Sequence, residues 1–223
     1  MQQPPAMRIK SRWFSGDGAP AHKSAAEQGS AMAFIVWRLA VQMLKRMRAA
    51  DFDVDAGTPY FAFVREALVF LVVLADRIAF QRLSAEERAE FVVALVRHVA
   101  RHLQENADDL LGPAPAGEPT HGERFIDLYN ELAGHYAEFG AAPQTAAHAG
   151  PADPAAGFEP DFGFVRYLGT RLEPALPERH RRWVLDQVMA IEAPEAVGQV
   201  QRAMNDLFDP QPPRARRATL SGE

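Results

Sequence analysis

The chain has 223 residues, a formal net charge of −5 and no cysteine. Without thiols there is no disulfide framework, no thiol nucleophile and no cysteine-based zinc or iron–sulfur site, and so mild a charge excludes nucleic-acid binding by the molecule as a whole. A chain of this length buries roughly 70% of its unfolded surface in one domain, with no need of crosslinks or metals.

Residues 1–29 are rich in Pro, Gly, Ala and Ser, lack sustained periodicity and read as a flexible arm. Within the arm, Arg8, Lys10, Arg12, Trp13 and Phe14 form a short basic-aromatic patch. The opening MQQPPAMRIKSRWF has no apolar run behind its basic residues, so no signal peptide is expected and the default location is the cytoplasm. The first helix is expected over about 31–50, with Arg38, Gln42 and Lys45 on a wet stripe and Val36, Ala40, Met43 and Met47 opposite. In the connection that follows, Asp51, Asp53 and Asp55 alternate as in a calcium loop. The required Gly and Glu are replaced by Ala56 and Ala62, which leaves an acidic turn.

The second helix, expected over about 58–82, organises the rest. Thr58 reads as a hydroxyl cap ahead of Pro59, and every residue from Ala67 to Ala75 is apolar. A helix apolar all round is a core helix or a membrane span. This run is about half the ~20 residues a bilayer needs, and Arg65, Glu66, Asp76 and Arg77 bracket it, so it reads as a buried central helix. Ser84 and Glu87 open a third helix with a capping box, and Gly112-Pro113 ends it, with Asp108 and Asp109 loosening its last turn. Thr120 and Glu123 open a fourth, whose Phe125, Leu128, Tyr129, Leu132, Tyr136 and Phe139 give the clearest amphipathic stripe. Residues 140–160 read as a mobile loop of Ala, Pro and Gly. Three helices are expected beyond it, over about 161–173, 177–192 and 194–208, started by Asp161, Pro177 and Pro194. Residues 209–223, with Arg214, Arg216 and Arg217, read as a disordered basic tail.

Four constellations carry chemical possibilities. His98, His102 and Glu105 share one edge of the third helix and make a ligand set for zinc or non-haem iron. Glu131, His135 and Glu138 repeat the theme on the fourth helix, on the side away from its apolar stripe. Arg166, Arg171, Arg179, Arg181 and Arg182, with His180 and Trp183 among them, make a candidate anion site. The stiff joint Glu173-Pro174-Ala175-Leu176-Pro177 argues against helix-turn-helix, and nucleic acid is disfavoured. Aromatic residues from several helices, Phe63, Phe70, Tyr129 and Tyr136 above all, would line a cavity for an apolar small molecule. No nucleophile elbow, dinucleotide fingerprint or P-loop is present, and Asp161-Phe162-Gly163 matches a kinase tripeptide with none of its companions.

The order of a long apolar helix, a capped helix and a Tyr/Phe-rich helix loosely resembles the ubiquinol–cytochrome c reductase assembly chaperones. No specific motif is shared, so no residue is carried over. The sequence thus predicts an all-α, single helical-bundle domain of about seven helices, four N-terminal over 30–139 and three C-terminal over 161–208. Its expected role is a non-enzymatic binding or protein-interaction module, with a protein partner or a second copy and no cofactor. A carrier or assembly chaperone with an internal apolar cavity ranks next, and a metal-dependent enzyme using His98, His102 and Glu105 last.

Overall fold

A computed structural model describes residues 23–140 and 159–209. The arm's basic-aromatic patch, most of the 140–160 loop and the tail arginines lie outside the described residues. Within them the chain is all helical: α1 (Ala25–Ala49), α2 (Thr58–Phe80), α3 (Ala85–Leu111), α4 (His121–Ala137), α5 (Phe162–Leu172), α6 (Glu178–Gln187) and α7 (Ala193–Phe208).

Helix α1 starts well before the expected position. Ser24 accepts from the Glu27 N–H at 3.2 Å and Glu27 Oε2 accepts from the Ser24 N–H at 2.8 Å. This capping box was readable, but the small residues around it suggest an unstructured arm. Gly29 earns its place by packing. A Cβ there would lie 2.3 Å from the Phe91 carbonyl oxygen, so α1 and α3 cross at the closest approach glycine allows. Met43 and Met47 are fully buried core residues.

Helix α2 is the central helix. Every residue from Ala67 to Ala75 is at most 5% exposed, and α1, α3, α4, α5 and α7 all pack against it. Its start differs from the sequence reading. Gly57, at φ +90°, is the cap and supplies no side chain, so Thr58 is the first helical residue rather than the cap. The charges at its ends hold its neighbours. Glu66 accepts two hydrogen bonds from Arg171 at 3.0 and 2.7 Å, tying α2 to α5. Asp76 accepts two from Arg88 at 2.6 and 2.7 Å, tying it to α3. Arg77 donates to the Tyr136 and Phe139 carbonyls at the end of α4, both at 3.2 Å.

Helix α3 keeps its last turn to Leu111. The Gln104 amide donates to the Asp108 carboxylate at 2.7 Å, and its oxygen accepts from the Gly122 N–H at 2.7 Å, joining α3 to the start of α4. The acidic turn after α1 is held as well. Arg48 donates to the Val54 carbonyl at 2.6 Å, Arg179 pairs with Asp53, and Phe52 is buried beside the His180 ring.

The count of seven helices also changes. Helices α6 and α7 run into each other through a π turn, Val188–Glu192, with no break, so the described residues form six continuous rods. Pro194 is the cause on the sequence side, because it has no N–H to give to the α-helical ladder. The structure widens one turn instead of ending the helix, and the Ala193 N–H reaches back to the Val188 carbonyl. No helix among the described residues is long and apolar enough to cross a membrane.

Candidate functional site

The proposed metal ligands do not converge. His98 Nδ1 lies 2.8 Å from an Arg101 guanidinium nitrogen, so the ring is already engaged by a cation. Partial burial, then Arg101 and His102, hold His98 below the ordinary imidazole range. His102 sits between the rings of Phe34 and Trp37, each with its centroid 6.4 Å away, and reaches Glu105 only at 3.9 Å. On α4, His135 stacks with Tyr167, and Glu131 and Glu138 are exposed. Among the described residues no three such groups could hold a metal ion. A helix edge can align side chains without aiming them at one point.

The five arginines disperse in the same way. Arg171 is committed to Glu66, Arg179 to Asp53, and Arg181 to the Leu176 carbonyl at 3.1 Å. Arg182 lies over the Trp183 ring at 4.8 Å, while Arg166 is exposed on α5. The run is crowded in sequence because α5 and α6 are consecutive, yet its members point to different neighbours.

The aromatic residues fill the space they would have lined. Phe63, Phe70 and Tyr136 are at most 1% exposed. Tyr136 packs against Phe164 and Tyr167 at 4.9 Å, and Phe70 against Phe164 at 5.4 Å. Burial pushes the Tyr136 phenol well up, and pushes Tyr129 to about 12 with help from the Asp76 carboxylate. Phenols held so firmly protonated are poor proton acceptors at neutral pH. These rings are core, not cavity wall.

Two features were missed. The first is Glu192, whose side chain is wholly shielded from solvent inside the π turn. It accepts from Arg46 on α1 at 2.9 Å and from Gln187 at 3.2 Å. Burial raises its carboxyl above the ordinary range, and the Arg46 cation only partly offsets that. No sequence signal marks it, because the π turn that rotates it inward is itself unreadable.

The second is a cleft of about 550 Å³ between the start of α5 and the first half of α7. Phe162, Val165, Met189, Pro194 and Val197 line it, with Gly198 among them. Asp161 positions its lip by capping α5, accepting from the Phe164 N–H at 2.6 Å and from the Gly140 N–H at 2.5 Å. Phe162 therefore stands at the first helical position, 68% exposed. Glu159 and Asp161 are the charged residues among the described residues of the lining. A second cleft, of about 750 Å³, lies where α1 begins and α7 ends. Its walls mix polar and apolar groups and are already cross-linked, with Arg82 bound to Asn205 at 2.6 Å and to Asp209 at 3.1 Å.

The chain matches no family model, no curated protein and no solved structure.

Proposed function

We propose that this protein is a non-enzymatic interaction module that docks an amphipathic helical segment of a partner protein in the α5–α7 cleft. The observation that supports it is the exposed Phe162 at the lip of a concave surface lined by Val165, Met189, Pro194 and Val197. Helix-in-groove recognition uses such apolar channels, and methionine adapts its shape to the ligand. The carboxylates of Glu159 and Asp161 favour a partner segment that carries Lys or Arg beside its apolar face.

A photo-crosslinking residue in place of Phe162 tests this in the native host, with Glu131 on the wet side of α4 as the control position. The expected result is one discrete partner captured from position 162 and not from 131. Gly198→Trp blocks the cleft in the same cells. The nearest atom to a Cβ there is the flexible Arg202 guanidinium, at 3.5 Å, so the new side chain leaves the helix without a backbone clash, and an unchanged melting temperature checks that the variant folds. Loss of the crosslink in Gly198→Trp supports the reading. Equal capture from both positions, no capture, or a crosslink indifferent to Gly198→Trp overturns it.

A further inference from the structure

A different surface carries charge of the opposite kind. Level with Phe34 and Arg38 on α1, the charged residues of α3 between Ala94 and Glu105 are Arg97, Arg101 and Glu105, and Asp108 and Asp109 follow only further along, opposite Lys45. Three cations thus stand with one carboxylate around Phe34 in a chain whose net charge is −5. The single carboxylate is already spent, since Glu105 lies 3.8 Å from Arg101 and 3.9 Å from His102. Arg38, Lys45 and Arg97 have no carboxylate partner among the described residues.

At the centre of this basic face stands an aromatic group. Phe34 is 53% exposed, Arg38 lies over its ring at 5.8 Å, and His102 is held between Phe34 and Trp37. The two helices are fixed against each other by the glycine contact at Gly29, so the face is rigid and needs no ordering on binding. An exposed aromatic anchor with an arginine over its ring and further arginines on the neighbouring helix is the composition of an interface hot spot.

We infer that the α1–α3 face is a second docking surface, and that it takes an acidic segment of a partner protein, with an apolar side chain packed on Phe34 and carboxylates meeting Arg38, Arg97 and Arg101. Phe34 is the one exposed aromatic ring of α1 and α3 among the described residues, which suits a protein segment laid across it better than insertion into a lipid layer. The embedded Glu105 is set against a polyphosphate backbone. The inference does not rest on the α5–α7 cleft, which lies on other helices and favours the opposite charge.

The test uses the full chain and a fluorescein-labelled amphipathic peptide with Leu on one helical face and Glu on the other, read by anisotropy at low and physiological salt. Affinity is expected to fall with salt. It is expected to drop about tenfold in Arg38→Glu and again in Phe34→Ser. Arg97→Glu, at an exposed position of α3, gives a comparable loss, which keeps the test decisive if either of the first two variants misfolds. Arg166→Glu on α5 leaves binding unchanged. No binding of the acidic peptide, or affinity indifferent to Arg38→Glu and Arg97→Glu, overturns the inference. So does stronger binding, lost in the same variants, to phosphatidylserine vesicles or to duplex DNA.

Discussion

Glu192 and Glu66 are both acids on helices, and their surroundings give them opposite consequences. The desolvation of Glu192 outweighs the attraction of Arg46, so its carboxyl holds a proton more tightly in the folded state than in the unfolded one. A group of that kind contributes stability that is fully present below the ordinary carboxylate range and is lost as pH rises through the folded value. Glu192→Gln, which imitates the protonated form, is therefore expected to equal the wild type in acid and to exceed it in melting temperature at neutral pH. Paired melting curves from about pH 4 to 7 check this, because the difference between the two proteins cancels the other carboxylates. A wild type that outperforms the variant at neutral pH would show that Arg46 governs the site. The Glu66 side chain is 13% exposed and is held by two hydrogen bonds from Arg171, itself 31% exposed. Arg171→Ala leaves a carboxylate with little water and no partner, at a cost of about 1.5–3 kcal/mol, read from the denaturant midpoint. Glu66→Gln in the same background should recover part of it.

Glycines show at the scale of whole elements where a helix is constrained by its neighbour and where it is merely weak. Gly29 and Gly198 both lie inside helices, where glycine costs about 0.5–1 kcal/mol relative to alanine. At Gly29 a methyl group would meet the Phe91 carbonyl at 2.3 Å, and backbone cannot yield as a side chain does. Gly29→Ala must push α1 from α3, and a net loss of about 1–3 kcal/mol is expected. Gly198→Ala meets only the Arg202 guanidinium at 3.5 Å, so it should gain about 0.5–1 kcal/mol. Calorimetry of the two variants distinguishes them by sign alone. The same contrast explains what the sequence could tell. The all-helical fold, the buried α2 and both capping boxes at Ser84 and Thr120 were legible, because each follows from local periodicity or a local hydrogen bond. The early start of α1 was legible in Ser24 and Glu27 but hidden by the glycine and alanines around it, which serve packing rather than looseness. The join of α6 to α7 was not legible, since Pro194 is an ordinary helix starter by local rules and only the surrounding packing favours a widened turn. Candidate sites fared worse for one reason. Spacing along a helix aligned His98 with His102 and gathered the arginines, but the partners that engage them, Phe34, Glu66 and Asp53, come from other elements. The cleft at Phe162 is likewise a product of two helices that meet only after folding.

For the molecule as a whole, the question is whether the C-terminal helices form a unit of their own. Four contacts argue that they do not. Arg171 on α5 binds Glu66 on α2, and Arg46 on α1 binds Glu192 in the π turn. Gln28 near the start of α1 donates to the Leu207 carbonyl at 3.2 Å, and Arg82 after α2 binds Asn205 at 2.6 Å. These ties run the full length of the C-terminal rods, and between them Val184, Val188, Val200 and Met204 are fully buried. Removing α5–α7 would expose one side of α2, which has no polar face to present to water. The chain should therefore unfold in a single cooperative transition, with the same midpoint by far-ultraviolet circular dichroism and by tryptophan fluorescence. Amide exchange should give the interior of α2, from Ala67 to Ala75, and the buried face of α7 the same opening free energy, equal to that of global unfolding. An α7 that exchanges through a lower barrier would mean that the cleft at Phe162 belongs to a separately melting lobe. In that case its shape would be set by docking rather than built in advance.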